Sequence, residues 1–350
     1  MFNNNDISKF KPIVVLPDFF IDRIIQLKSK EHFFESILQK TKYGGGSIRE
    51  FNAIEKKGGN AVNVAYALAT LGVKVVLFTI ADKVGSAFLS NTFSKFGDII
   101  QLRITDGSNG LTTALEFHSE NGGASENIML NHLRGIADIG PEIINSDSDL
   151  SLLNDSSAVV FLNWGSNNRG SNLLEYVFKN SPISSFHFLD PADIEKRCFE
   201  FINVIKNRSN LIDFLSINEN ECNSLCKAFD IEKNIINENS SPTNLQKIIE
   251  EISTILGIEI CLHTRAGSIW SNGSNSFFAK ALETNVVNLT GAGDCWDAGY
   301  ILSTVAGLKI EDRLLFANAV ASSYVGNIEG EPPTLEKVEK LLENNTYKKK

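Results

Sequence analysis

The sequence predicts an α/β fold with a mostly parallel central sheet and helices on both of its sides. Two observations carry this expectation. Short runs rich in β-branched and other apolar residues recur along the chain, and amphipathic helical stretches separate them. Near-continuous apolar character suits strands covered on both faces, and strand–helix alternation implies parallel crossover connections.

The first strand is PIVVL (12–16). VKVVLFTI (73–80), AVVFLNW (158–164), FHFLD (186–190), LIDFLSI (211–217) and IEICLHT (258–264) read likewise. NAVNVAYALATLG (60–72) and NLQKIIEEISTILG (244–257) carry helical spacing. Two zones, roughly 20–57 and 100–130, break the alternation with Gly- and Ser-punctuated text such as YGGGSIREFNAIEKKGG and short alternating runs such as LTTALEFH. They read as a small antiparallel sheet attached to the main one. Segment 140–157 reads as a helix flanked by loops, and the chain ends on a helix entered through Pro332 and Pro333. Leu335, Val338, Leu341 and Leu342 share one face of that helix, with Glu336 and Lys340 an i,i+4 pair.

With 350 residues the chain suits one large α/β domain or two smaller ones. Its formal net charge of -9, without a basic face, argues against nucleic acid as a partner. No apolar run is long enough to span a membrane, and MFNNNDISKF lacks the apolar core of a signal peptide. Cys198, Cys222, Cys226, Cys261 and Cys295 are odd in number and lack C-x-x-C spacing, which reads as buried free thiols in a cytoplasmic protein. The five histidines show no zinc-site spacing.

Four stretches could carry chemistry. In NLTGAGDCWDAGY (288–300), Gly291 and Gly293 permit a tight turn, and the helical stretch that follows presents free N–H groups to an anion. Asp294 inside that turn is either a helix cap or a base that takes a proton from a hydroxyl attacking a phosphate. In KKGGNAVNVAYALATLG (56–72), Gly58 and Gly59 can bring backbone next to a ligand while Asn60 caps the helix. In SINENEC (216–222), Asn218 and Glu221 have capping-box spacing, yet a carboxylate just past a strand could equally hold a hydrated Mg²⁺. In LPDFFIDRII (16–25), Asp18 and Asp22 follow the first strand, near the usual ligand edge of an α/β sheet. No Walker A pattern, strand-linked G-x-G-x-x-G or protein-kinase H-R-D loop is present.

GGNAVNVAYALATLG resembles the first signature, and NLTGAGDCWDAGYI the second, of the ribokinase-like (PfkB-type) carbohydrate kinases. FFIDRII, IADKVG with Asp82 and Gly85, NENE and FANAVASSYV (316–325) resemble further family segments in the same order, from about Pro12 to Pro333. The resemblance implies a ribokinase-like three-layer sandwich at 12–343, a single kinase domain whose β-sheet lid comes from the zones near 20–57 and 100–130. It implies phosphoryl transfer from ATP to a sugar hydroxyl, in which little covalent chemistry falls to the protein. Asp294 would be the base, and the amides of Gly291, Ala292 and Gly293 would receive the transferring phosphate. Asn218 and Glu221 would order Mg²⁺ and its waters. Asp22, Gly58, Gly59, Asn60 and Asn63 would hold the sugar, and Asn218, Thr264, Gly293 and Asn318 would lie along the nucleotide. A nucleoside kinase and a catalytically silent sugar-binding protein are the other readings of the same scaffold. Family look-alikes also form homodimers through the lid.

The chain departs from the family pattern in four places. Asn288 stands where many members have an Asp that helps build a monovalent-cation site, which bears on activation by K⁺. HTRAGSIW (263–270) matches the nucleotide loop only thinly, and Trp296 replaces a Phe. Arg49 in the lid stretch is a candidate cation for an anionic substrate.

Overall fold

The computed structural model describes residues 7, 9–27, 29–49, 51–117, 126–231, 236–237, 240–287 and 289–347. Asn288 lies outside the described residues, and so does the expectation attached to it. The strands, in chain order, are β1 (Ile13–Leu16), β2 (Phe20–Leu27), β3 (Asn52–Gly58), β4 (Val75–Ala81), β5 (Ile100–Asp106), β6 (Gly110–Phe117), β7 (Glu126–His132), β8 (Ala158–Leu162), β9 (Phe186–Asp190), β10 (Phe214–Ile217), β11 (Glu259–Thr264), β12 (Gly267–Ser271) and β13 (Ser276–Lys280). Nine of them form one sheet in the order β13-β12-β11-β10-β9-β8-β1-β4-β5. Pairing is parallel from β11 through to β5, and β12 and β13 close the other end as an antiparallel extension.

Alternation along a strand separates the two cores. Ile13 and Val15 of β1 join one buried cluster, with the helices Asn60–Thr70, Ala292–Val305 and Ile310–Val325. Val14 and Leu16 join the other, with the helices Gly170–Lys179, Cys198–Arg208 and Pro242–Leu256. The result is three layers, helix–sheet–helix, as strands with two apolar faces require. Gly299 makes one close contact possible: a Cβ there would lie 2.9 Å from the Ala317 Cα, so the helices Ala292–Val305 and Ile310–Val325 could not approach as they do.

The six expected strands are all present. Their edges shift where polar groups intervene, as at Asn163, which leaves β8 in a left-handed conformation (φ 54°). The terminal helix Leu335–Tyr347 buries Leu335, Val338 and Leu342, and Lys340 pairs with Glu336 at 2.6 Å. The five cysteines are buried and none forms a disulfide among the described residues.

The two irregular zones differ in part from expectation. A second sheet does form, in the order β3-β2-β6-β7, but β2 and β6 run parallel. Within the first zone, KEHFFESILQKTK forms the helix Lys30–Lys42, capped by the Ser29 side chain, between β2 and β3. Within the second zone, β5 is the edge of the main sheet and only β6 and β7 belong to the small one. β5 departs from the expectation because a half-buried edge strand alternates in sequence just as lid strands do.

Candidate active site

One cavity of about 1190 Å³ opens between the small sheet and the main one. The strands β1, β9, β10 and β11 end on it, the place where open α/β sheets bind ligands. Its lining includes Phe20, Asp22, Thr112, Met129 and Asn131 from the small sheet, and Asp190, Asn218, Glu221, His263, Gly291, Gly293 and Asp294 from the main domain.

Asp294 sits in the first turn of the helix Ala292–Val305. The turn before it is possible because Gly291 adopts φ 87°, a left-handed conformation that costs glycine nothing. Gly291 is the N-cap, and no side chain caps this helix. Asp294 therefore makes no capping bond; its Oδ2 accepts from Asn63 Nδ2 at 2.9 Å. The carboxyl is buried, and desolvation pushes its pKa up to about 7, with Asp190 and Asp18 adding to the rise. The amide of Ala292 donates to the Leu289 carbonyl, and Ala292 does not line the cavity. No such turn bond is made by Gly293 or Asp294 among the described residues. Of the amides expected to receive an anion at 291–293, that of Ala292 is thus engaged, and a Cβ on Gly293 would lie 3.2 Å from His263 Cε1.

Gly58 and Gly59 are each required by close contacts. A Cβ on Gly58 would meet Asp22 Oδ2 at 2.2 Å, and one on Gly59 (φ 92°) would meet the Asp18 carbonyl at 2.9 Å. Gly58→Ala is expected to displace Asp22 from the cavity and raise the acceptor KM about tenfold or more, with kcat less affected. Steady-state kinetics with the acceptor varied checks this. Asn60 lines the cavity but caps nothing. Asp18 caps that helix instead: its Oδ2 and Oδ1 accept from the amides of Asn60 and Ala61, both at 2.9 Å, and Asn163 Nδ2 adds a bond at 3.0 Å. Asp22 accepts from the Thr112 hydroxyl, and burial followed by the nearby Asp18 charge raises its pKa.

Asn218 and Glu221 form a complete capping box for the helix Glu219–Phe229. Glu221 Oε2 accepts from the Asn218 amide at 2.7 Å and Oε1 from Asn218 Nδ2 at 2.8 Å. Both residues also line the cavity. Burial raises the Glu221 pKa well above its ordinary range, and the facing Asp190 carboxylate raises it further. Two of the residues expected along a nucleotide do not line this cavity. Asn318 is buried, its Oδ1 accepting from Ser268 Oγ and Trp296 Nε1, its Nδ2 donating to the carbonyls of Ala279 and Lys280. Thr264 Oγ1 donates to the Gly267 carbonyl and accepts from the Ala266 amide, closing the β11–β12 turn. Neither lines the cavity. Asn318 is spent because Trp296 carries an indole N–H that needs a buried acceptor. Asp82 caps the helix Lys83–Phe93. Arg49 lines a separate cavity of about 290 Å³ beside the helix Lys30–Lys42 and so offers no charge to the main one.

Sequence reasoning missed several site residues. Asp190, at the end of β9, lies beside the carboxyl of buried Asp297, whose Oδ1 accepts from Ser216 Oγ at 2.7 Å. Asp190, His263 and Asp297 each bring one donor atom within 4.8 Å of the others. Desolvation holds the His263 pKa down to about 4, and its ring stacks on Trp296 at 5.4 Å. Asp190's place at a strand's C-terminal end and Asp297's place one turn after Asp294 were readable signals.

A family model described as pfkB family carbohydrate kinase matches residues 31–336. No curated protein matches the sequence significantly. Among solved structures, ribokinase from Thermotoga maritima is similar at 19% identity and TM-score 0.70, covering 96% of this chain and 100% of its own. Adenosine kinase from Sinorhizobium meliloti is similar at 18% identity and TM-score 0.69, covering 96% of this chain and 99% of its own. Arabidopsis thaliana ribokinase, complexed with ribose and ATP, is similar at 20% identity and TM-score 0.70, covering 95% of this chain and 99% of its own.

Proposed function

Because the chain belongs to the pfkB family of carbohydrate kinases, phosphotransferases with an alcohol acceptor, we propose that it moves the terminal phosphoryl group of ATP to a hydroxyl of a small sugar or sugar acid. Asp294 is the general base of that reading. The single observation that carries it is this carboxyl's setting: buried, uncapped, and at a helix N-terminus on the cavity floor. A base must reach the attacking hydroxyl while the transferring phosphate is held by fixed donors, and one helix turn supplies both. A carboxyl raised to about 7 has a proton affinity matched to neutral-pH proton transfer. Asp22, Thr112, Asn60 and Asn63 offer polar groups to sugar hydroxyls, and the small sheet closes the cavity as a lid. Residues 12–343 act as one kinase domain.

The family's Mg²⁺ fits this cavity. Glu221 and Asp190 are buried carboxylates, the Asp190 charge raises the proton affinity of Glu221, and a hard divalent ion with oxygen ligands relieves such a pair. Glu221 and Asp190 would hold the ion through its waters, Glu221 while still serving the capping box. The ion would neutralise charge on the phosphates. Glu221→Gln is expected to raise the Mg²⁺ concentration needed for half-maximal rate about tenfold. An unchanged Mg²⁺ titration would leave Glu221 a cap only.

Incubation with Mg-ATP and a panel of sugars, sugar acids and nucleosides, following ADP, tests the function. Turnover with a sugar or sugar acid supports it, and turnover confined to nucleosides favours the nucleoside reading. Sugar binding by thermal shift without turnover of any panel member would point to a silent binding protein.

A further inference from the structure

We propose that Lys57 is a positioning residue for Asp294, acting through the side-chain amide of Asn63. The inference rests on the reading of Asp294 as the base. Lys57 Nζ donates to Asn63 Oδ1 at 3.2 Å, and Asn63 Nδ2 donates to Asp294 Oδ2 at 2.9 Å. An ammonium has donors only, so it selects the oxygen end of the amide. The NH₂ end then faces the carboxylate. The flipped amide would set NH₂ against the ammonium and oxygen against the carboxylate, and both contacts repel. Because NH₂ carries two hydrogens, Asn63 can hold Asp294 and still meet a substrate hydroxyl.

Lys57 is itself held in place. Its Nζ lies 4.3 Å from the centroid of the Tyr66 ring, a cation–π contact, and the Tyr66 hydroxyl donates to Glu331 at 2.6 Å. The connection thus links the end of β3, the helix Asn60–Thr70 and the helix Ala292–Val305, three rigid elements around one carboxyl.

Charge completes the case. Asp190 from β9 and Asp18 from the β1–β2 turn raise the proton affinity of Asp294. Cys295 and Asp297 lie beside it on its own helix, Tyr324 faces it from the helix Ile310–Val325, and His263 abuts Gly293. Lys57 is the cation that opposes this acidic surround, with Glu331 and Asp22 also in its own field. Removing it leaves Asp294 protonated, and useless as a base, to a higher pH.

The test uses Lys57→Met, Lys57→Arg and Asn63→Leu in the full chain. The titration of Asp294 is followed by carboxyl ¹³C NMR without substrate, and the pH profile of phosphoryl transfer is measured separately. In Lys57→Met the Asp294 midpoint is expected to rise by about one pH unit, carrying the acid limb of kcat/KM with it. At neutral pH kcat falls about tenfold while both KM values move less than about twofold, and Lys57→Arg restores most of the rate. Asn63→Leu should raise the midpoint in the same direction, which keeps the test available if Lys57→Met does not fold. An unmoved midpoint in folded Lys57→Met, or in Asn63→Leu, overturns the proposal. A midpoint that rises while the acid limb stays put keeps the coupling and counts instead against Asp294 as the base.

Discussion

Asp294→Asn is expected to lower kcat by about two to four orders of magnitude, the usual contribution of a general base, with the fold intact. The carboxamide keeps the size and can keep one acceptor toward Asn63, so KM values should change little. The same substitution should stabilise the protein at high pH. Burial raises the Asp294 pKa from the ordinary 3.8 to about 7. A carboxyl with a raised folded-state pKa favours folding in its protonated form. Its contribution is full below about pH 3.8 and is lost as pH rises through about 7. The Asn side chain carries no such penalty. Tm of the variant should therefore exceed that of the natural chain at alkaline pH, and the gain should vanish in acid. Calorimetry across pH, with steady-state rates on the same samples, checks both halves. Full activity removes the base assignment, and a Tm difference independent of pH removes the account of its burial.

Asp18→Ala is expected to give the largest loss of stability among the cavity residues, about 2–4 kcal/mol. Asp18 is wholly buried and accepts the first two amides of the helix Asn60–Thr70 together with Asn163 Nδ2. Alanine leaves three donors, those of Ala61 and Asn163 buried, without that acceptor. The helix is central, with nearly every residue from Ala61 to Ala69 buried, so a frayed start cannot be relieved into solvent. Asn60 and Asn63 sit in its first turn and should lose their placement, so acceptor binding weakens along with stability. Urea unfolding measures the loss. A change under about 0.5 kcal/mol would mean that Asp18 is not the cap its geometry makes it.

The main sheet was legible because β1, β4, β8 and β9 are buried on both faces, and continuous apolar text leaves few alternatives. Asp294 stands out in the sequence because small residues and a carboxylate in one helix-start turn leave two uses, cap or base, and the structure shows no capping bond from it. The same local reading failed where the partner is distant in sequence. Asn60 looked like a cap, yet the acceptor comes from Asp18, 42 residues earlier. Asn318 looked available to a nucleotide, yet Trp296 and Ser268 consume its oxygen. Lys57 is inconspicuous in sequence beside two glycines, because its contacts are to Asn63 and Tyr66 on the next helix. The parallel β2–β6 pairing was hidden for a related reason: alternation identifies a strand and its faces but not its neighbour.

The central claim is that a buried carboxylate at the start of the helix Ala292–Val305 takes the proton of the attacking hydroxyl. The most direct test is the pH dependence of kcat/KM for phosphoryl transfer from ATP to the acceptor found in the panel. The expected profile has an acid limb of unit slope with its midpoint near pH 7, set by the raised Asp294 carboxyl, and that limb is absent from the residual rate of Asp294→Asn. A rate that stays flat from about pH 5 to 8, or the same limb in Asp294→Asn, would contradict it.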